Sequence, residues 1–215
     1  MTEFGAMIAQ CEPMRHKTTQ TVFDHFNRIR NGNSAPLRAD LHPDELKSAL
    51  PDIFILEMDR GGNLVFRLAG TRVCTILGQE LRGEQFVAAW HASHRHKMKL
   101  AAEAVLANQA PMTVAIRSMA EEENDGELEM LLLPLSSRPG IVDRLYGCMA
   151  DLSRPPLLSE RSRVLWAESL DFVAPGTAVA AAPAVRQSFT VVTGQPPSFR
   201  SGAKHLRVLE GGRKD

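Results

Sequence analysis

The chain has few cysteines and no long apolar run, and both absences exclude whole classes of protein. Its three cysteines, Cys11, Cys74 and Cys148, are an odd number without CxxC spacing, which argues against a disulfide framework and against a zinc knuckle. No apolar stretch approaches the roughly 20 residues that a membrane span requires. Residues 1–15 contain no apolar segment typical of a signal peptide. The sequence therefore predicts a soluble, cytoplasmic protein without a membrane span.

The chain also lacks an excess of charge of either sign. It contains 25 basic and 25 acidic residues, so its net charge predicts no nucleic-acid partner and no anionic membrane surface. The distribution is uneven, because 17 acidic residues face 11 basic ones in residues 40–152, whereas 9 basic residues face 5 acidic ones in residues 153–215. A solvated basic tail is the preferred interpretation. The alternative is a tail that contacts its own domain or an acidic partner.

The length of 215 residues suits one hydrophobic core of ordinary size. We predict three parts: a flanking segment at 1–39, an α+β domain at 40–152, and a weakly ordered tail at 153–215. The tail contains an Ala/Pro-rich linker at 174–184. Before that linker, residues 157–172 are compatible with a short helix that contains Trp166.

The flanking segment contains an amphipathic helix, predicted over residues 18–30. Threonines can cap its start, and Asn31-Gly32-Asn33 is typical of a helix end. Its apolar face must pack on the domain or on a second copy of the chain. We predict that this face forms a homodimer interface, made by Val22, Phe23, Phe26 and Ile29.

Within the domain, two groups of strand patterns flank a helical middle. Two apolar strands around a Gly-Gly turn predict a hairpin, and three later strands with short turns predict an antiparallel meander. The clearest helix spans residues 94–108. This order predicts a five-stranded antiparallel sheet with helices on one face. The predicted strands are residues 53–58, 64–69, 111–119, 128–135 and 144–150.

Four short strings are distinctive: LAGTRV at 68–73, LGQELRG at 77–83 with Phe86 after it, LPDIF at 50–54 and HLRVL at 205–209. Together they resemble a bacterial PAS domain subfamily, common in alphaproteobacteria, that was long catalogued as a domain of unknown function. The resemblance implies a PAS-like fold, a sensory or protein-interaction role in signal transduction, and a free-standing single-domain regulator. It implies no agreed cofactor and no catalytic residue.

The concave side of such a sheet, beneath the helices, is a natural place for a small-molecule ligand. The apolar strand residues could line that cavity or fill an ordinary core, which is the commoner outcome. The predicted pocket residues are Phe54, Leu56, Phe66, Arg72, Trp90, Met130 and Leu132.

Arg72 has two interpretations. Its guanidinium could bind the carboxylate of a ligand in the pocket. It could equally pair with an acidic side chain such as Asp52 or Glu80, and this structural pairing is preferred.

A histidine cluster at the start of the long helix is a candidate for metal or haem binding. His91 and His94 are three residues apart and could share a helix face, with His96 close by. Iron-ligating histidines lie on the long helix of haem-binding PAS domains, but the cluster is crowded by basic residues. An exposed, polar helix start is the preferred interpretation, so no cofactor is favoured. The acidic run at 121–125 is likewise interpreted as a solvated hairpin loop rather than a cation site.

The sequence contains little that points to catalysis. No G-x-S-x-G elbow, P-loop or G-x-G-x-x-G motif is present. Glu57 and Asp59 share a strand face near a turn, which is typical of a solvent-facing pair. A small-molecule enzyme on a cone-shaped α+β fold, of the ketosteroid-isomerase type, is the alternative. It would require a buried acid among strands that present mainly apolar side chains. We therefore predict a non-catalytic regulatory module with a protein partner.

Overall fold

The domain is organised around one antiparallel sheet. The computed structural model describes residues 14–119, 126–153 and 163–173. The sheet has six strands in the order β2-β1-β5-β4-β3-β6. Their bounds are β1 (Ile53–Met58), β2 (Leu64–Ala69), β3 (Met112–Met119), β4 (Gly126–Arg138), β5 (Ile141–Asp151) and β6 (Val164–Phe172).

The first hairpin and the later meander belong to the same sheet, as the sequence predicted. Strand β1 pairs with β2 on one side and with β5 on the other, where Ile53 lies opposite Cys148 and Glu57 opposite Arg144. Strands β3, β4 and β5 pair in succession. The predicted α+β class with an antiparallel sheet is therefore confirmed.

Strand β6 corrects the prediction of a short helix at 157–172. Residues 164–172 pair antiparallel with β3, from Met112 opposite Phe172 to Met119 opposite Val164. Leu165 and Ala167 are buried in the core beneath the helices, with the half-exposed Trp166 between them. In this pairing, β6 forms hydrogen bonds with backbone N–H and C=O groups of β3. Without β6, β3 would be an edge strand and these groups would face water. The sheet thus has six strands rather than five.

The helices between β2 and β3 cover one face of the sheet, which we call the inner face. They are α2 (Thr71–Leu77) and α3 (Ala92–Asn108), with a 3-10 segment at Phe86–Ala89. The left-handed Gly78 ends α2, and the left-handed Gln109 follows α3. The buried side chains of these helices join those of the inner sheet face in one cluster, which we call the inner core.

The first helix, α1 (Lys17–Ile29), packs on the opposite, outer face of the sheet. Its predicted bounds agree with the structure to one residue at each end. Val22 and Phe26 are fully buried there with Leu133 and Tyr146. The sheet is therefore covered on both faces, and α1 uses its apolar stripe inside its own chain.

Three short 3-10 segments connect α1 to β1, at Arg38–Asp40, Pro43–Leu46 and Leu50–Asp52. The link is attached to the sheet where Leu37 forms a parallel bridge with Ser136. Among the described helices, none combines the length and apolarity that crossing a bilayer would take. The predictions for Cys11, for the acidic run at 121–125 and for the tail beyond residue 173 lie outside the described residues.

Candidate functional site

The inner core contains a continuous chain of aromatic rings. Phe54 on β1 contacts Phe66 on β2 with ring centroids 5.9 Å apart, Phe66 contacts Phe86 at 6.1 Å, and Phe86 contacts Trp90 at 5.8 Å. Such tilted and edge-on contacts stabilise aromatic pairs beyond their area of burial. The structure brings together six of the seven predicted pocket residues in this cluster: Phe54, Leu56, Phe66, Trp90, Met130 and Leu132.

Trp90 places a polar group, its indole N–H, inside the inner core. Its side chain is fully buried, yet its indole Nε1 donates no hydrogen bond to any residue that the structure describes. A buried donor without an acceptor costs free energy, and native proteins rarely leave one. The indole N–H is therefore a ready donor for an acceptor atom that enters the inner core.

The ring of Phe54 can pack against β5 because Gly147 on that strand has no side chain. A methyl group at Gly147 would lie 2.8 Å from Phe54 Cζ and 2.1 Å from the carbonyl oxygen of Leu131. The phenyl ring therefore lies directly against the backbone of β5. Gly147 was not among the predicted site residues, although a glycine inside an apolar strand is a recognised signal for such a close approach.

Arg72 pairs with Asp52, which was the preferred of its two interpretations. Its Nη1 lies 2.7 Å from Oδ1 and 2.5 Å from Oδ2 of the carboxylate. Burial raises the pKa of Asp52, and the nearby guanidinium of Arg72 opposes that shift. The backbone approaches closely here too, since a methyl group at Gly70 would lie 2.3 Å from the carbonyl oxygen of Pro51. Arg72 thus attaches α2 to the segment before β1, and its side chain is half exposed.

Two histidines of the predicted cluster, His91 and His94, contact Trp166 on β6. The ring of His91 stacks on Trp166 with centroids 3.9 Å apart, and His94 meets the same indole edge-on at 5.2 Å. The backbone N–H of His91 donates to the carbonyl of Leu165 at 2.9 Å, while His96 is exposed. Burial, followed by Lys97 and His91, lowers the pKa of His94. These contacts attach the start of α3 to β6.

No group of three or more His, Cys, Asp or Glu side chains is arranged to hold a metal ion within residues 14–119, 126–153 and 163–173. Glu57, which the sequence placed in a solvent-facing pair, lies 3.6 Å from Arg67 and 3.3 Å from Arg144. Asp59 accepts backbone hydrogen bonds from Gly61 and Asn63 within the β1–β2 turn, and these hydrogen bonds lower its pKa.

The residues predicted to form a dimer interface fall into two groups. Val22 and Phe26 are buried against the sheet of the same chain, which corrects the prediction for these two side chains. Phe23 and Ile29 are half buried, and the ring of Phe23 stacks on Phe26 at 6.4 Å. A helix with one apolar stripe covers the nearest large apolar surface, and here that surface is the outer face of its own sheet.

Glu129 on β4 is a positioning residue that the sequence analysis missed. Its buried carboxylate accepts hydrogen bonds from the backbone N–H groups of Arg15, at 2.7 Å, and His16, at 3.1 Å. These donors directly precede α1, whose N-terminus favours a negative charge. Glu129 therefore fixes where α1 begins on the outer face. Local sequence patterns do not reveal this contact, because Glu129 lies more than 110 residues from Arg15 in the sequence.

One antiparallel sheet, with short helices across its inner face and a longer helix before the third strand, defines a single-sheet α+β domain with a buried core between helices and sheet. The family model described as PAS domain matches residues 14–150 of this chain. The chain belongs to the PAS domain family, as the resemblance in its sequence predicted.

The solved structures that the chain matches include light-oxygen-voltage and PAS proteins. The LOV protein of Rhodobacter sphaeroides is 14% identical, covers 66% of this chain and 70% of its own, and has a TM-score of 0.40. The PAS domain of a protein from Colwellia psychrerythraea is 14% identical over 53% of this chain and 99% of its own, with a TM-score of 0.40. An RNA-binding light-oxygen-voltage receptor is 19% identical over 48% of this chain and 30% of its own, with a TM-score of 0.36. No curated protein matches the chain.

Proposed function

We propose that this chain is a non-catalytic, cytoplasmic regulatory module in bacterial signal transduction, which acts by binding a small molecule, a protein partner or both. Membership of the PAS domain family supports the sensory part of the proposal. The absence of a recognised catalytic motif from the sequence supports the non-catalytic part.

The inner core is the proposed ligand site, and the unsatisfied indole N–H of Trp90 is the observation that carries this proposal. An occupant that fits is small and largely apolar, and has one acceptor atom, such as a carbonyl oxygen, for Nε1. It would take space now held by aromatic rings, so Phe54 and Phe66 would have to change rotamer. The acceptor atom of the ligand offsets part of that free-energy cost, because it accepts a hydrogen bond from Trp90 Nε1, which is otherwise buried without a partner.

Strand β4 offers a route from this site to α1. Leu132 belongs to the inner core, whereas its neighbours Leu131 and Leu133 pack in the outer cluster with α1. Successive side chains of a strand point to opposite faces, so a shift of β4 caused by a ligand moves the surface on which α1 rests. A ligand that binds one position of α1 better than another would then change the populations of the two.

We also propose that the chain forms a homodimer through the exposed side of α1. Phe23 and Ile29 retain partial exposure, while Val22 and Phe26 are occupied within the chain. We expect Phe23→Asp to give a folded monomer in sedimentation or light scattering, where the wild type is a dimer. The matched variant Phe26→Asp should instead destabilise the docking of α1. A wild-type chain that stays monomeric at high concentration contradicts the dimer.

Native mass spectrometry of freshly purified protein tests the ligand proposal. We expect the wild type and the Trp166→Phe control to retain the same small molecule. Trp90→Phe should lose it, because phenylalanine keeps an aromatic ring and lacks the N–H donor. Wild-type protein that is free of any small molecule and gains none from a lysate extract would contradict an inner-core ligand. Equal retention by Trp90→Phe would contradict the role of Nε1.

A further inference from the structure

The inner face of the sheet holds a second buried polar group, the hydroxyl of Ser118 on β3. Its side chain is fully buried, and its Oγ forms no hydrogen bond with any residue in the described ranges. Met112, Val114 and Ile116, which alternate along β3, belong to the inner core, and Ser118 continues that alternation on the same face. The inner core therefore presents two polar atoms to a ligand, Oγ of Ser118 and Nε1 of Trp90.

Trp90 and Ser118 lie in one row across the sheet. Trp90 forms a parallel bridge with Leu165 on β6, and Leu165 lies opposite Ser118 on β3. Paired residues of neighbouring strands present their side chains to the same face, and Trp90 and Leu165 both belong to the inner core. Two strand spacings place the backbones of Trp90 and Ser118 about 10 Å apart. A molecule of one ring, with a polar group at each end, has the length to bridge the two side chains across Leu165.

The two residues that flank Ser118 across the sheet offer it no hydrogen-bonding side chain. Gly126 on β4 has no side chain, and that of Leu165 on β6 has no polar atom. Because Gly126 lacks a Cβ, β4 itself places no side-chain atom over the hydroxyl on the inner face. A partner for the Ser118 hydroxyl therefore has to come from something other than the side chains next to it on the sheet.

Residues 83–91 connect the two edge strands and enclose this part of the inner core. At β2, the backbone N–H of Phe66 donates to the carbonyl of Glu84 at 2.9 Å. At β6, the backbone N–H of His91 donates to the carbonyl of Leu165 at 2.9 Å. The indole and the hydroxyl are thus shielded from bulk water, and a hydrogen-bond partner for either group has to be enclosed with it.

The chemistry of the two polar atoms defines the class of ligand. Nε1 of Trp90 only donates, whereas Oγ of Ser118 both donates and accepts. The surrounding cluster is apolar, which disfavours an ionised ligand. The buried Arg163, two residues before Leu165, has an interaction of its own. A flat ring suits this core, because the chain of rings that ends at Trp90 offers it edge-on contacts.

We propose that the inner-core ligand is an uncharged ring compound with a polar group at each end. A carbonyl oxygen at one end accepts the hydrogen bond of Trp90 Nε1, and a hydroxyl group at the other end pairs with Ser118 Oγ. This assignment rests on the inner-core ligand proposed above and adds its chemical class and its second contact residue.

The test uses the full chain and two probes of equal size, 4-(hydroxymethyl)acetophenone and 4-ethylacetophenone. Both carry the carbonyl for Trp90, and only the first carries the hydroxyl for Ser118. Binding is measured by titration followed by amide chemical shifts, which should change saturably at Trp90, Ser118 and Leu165. In the wild type, the hydroxymethyl probe should bind more tightly, although it is the more polar of the two.

Two variants and a control assign the two contacts. Ser118→Ala should reduce the preference for the hydroxymethyl probe about fivefold, the effect of one hydrogen bond. Trp90→Phe should weaken both probes equally, because it removes the donor to the carbonyl that they share. The control Ser169→Ala removes the hydroxyl of an exposed serine on β6 and should leave the preference unchanged. Without any probe, Ser118→Ala should be as stable as the wild type, because the hydroxyl it removes is unpaired among the described residues.

Three results would overturn the proposal: no saturable shift with either probe, tighter binding of the ethyl probe to the wild type, or an unchanged preference in Ser118→Ala. A buried water molecule that occupies Ser118 in place of a ligand group would produce the last two. The comparison of the probes on the wild type needs no variant, so it decides the proposal even if Ser118→Ala fails to fold. Native mass spectrometry tests separately whether the inner core holds any ligand, so the two proposals can fail independently.

Discussion

The carboxylate of Asp52 is buried, with 1% of its side chain exposed, while the guanidinium of Arg72 that pairs with it is 51% exposed. The pair joins the segment before β1 to the first turn of α2, so it links the two ends of the β1–β2 hairpin. Removing Arg72 would leave a buried carboxylate without its charged partner, and burial disfavours the ionised form.

Arg72→Gln should therefore lower the free energy of unfolding by about 1.5–3 kcal/mol, the range for a hydrogen bond to a charged group. Urea denaturation at neutral pH measures this loss. Arg117→Gln is the matched control, since Arg117 pairs with Glu168 at 2.8 Å on the exposed surface. That control should lose less than about 1 kcal/mol. Equal losses in the two variants would show that the burial of Asp52 is unimportant.

Asp52 also predicts a pH dependence. Because its pKa in the folded chain is raised above the ordinary value of 3.8, the folded state binds this proton more tightly than the unfolded state. The stabilisation is complete below pH 3.8 and is lost as the pH rises through the raised pKa. Relative to Asp52→Asn, the wild type should thus lose stability as the pH increases through this window. A constant difference across the window would contradict the raised pKa.

Gly147→Ala tests the close approach of Phe54 to strand β5. The added methyl would meet the Leu131 carbonyl and the phenyl ring, and neither the backbone nor a ring packed in the core can easily move. We expect a loss of about 3 kcal/mol in the free energy of unfolding, at the upper end for overpacking. In the control Gly140→Ala the methyl meets nothing within 4 Å, and only its positive φ of 76° costs free energy, about 1 kcal/mol. Similar losses in both variants would contradict the steric argument.

Glu129→Ala tests how α1 is attached to the outer face. Losing the acceptor for two backbone N–H groups should cost about 1–2 kcal/mol, as for other helix N-terminal caps. Hydrogen exchange should then be faster in the amides of Lys17–Ile29 than in those of β4. The control Glu127→Ala removes only an exposed ion pair with the Arg15 side chain and should leave the exchange of α1 nearly unchanged. Unaltered exchange in Glu129→Ala would remove its positioning role.

His25 predicts that the docking of α1 weakens in acid. His25 lies on α1, and its side chain is buried. Its Nε2 is 3.5 Å from Oε2 of Glu45, in the segment Pro43–Leu46. Burial and Arg28 lower its pKa, and Glu45 opposes them, with His42 adding to the lowering. The unfolded chain therefore takes up this proton first, and stability falls as the pH drops below 6.5.

The free energy of unfolding should be measured above and below pH 6.5. Its decrease on acidification should be smaller in His25→Phe than in the wild type. His96→Gln, which changes an exposed histidine on α3, should keep the wild-type decrease. If His25→Phe retained the full decrease, the buried imidazole would not be its source.

Much of this architecture could be predicted from local patterns. Apolar runs bounded by turn residues located β1 to β5. The period of α1 placed Val22 and Phe26 on one side, and the residues around Arg72 suggested its pairing with Asp52. Each of these inferences depends on residues that are close in sequence or on a periodicity, and such signals are contained in the chain itself.

The sequence by itself determined which faces of its helices and strands are apolar, and with them the α+β class. Only the tertiary structure decided what covers those faces: α1 lies on its own sheet, residues 164–172 form a strand because β3 offers an unpaired edge, and Glu129 meets the start of α1. Periodicity specifies that a surface must be buried, whereas its partner is chosen by contacts between residues far apart in sequence. For the same reason, only the tertiary structure shows that the N–H of Trp90 has no acceptor among the described residues.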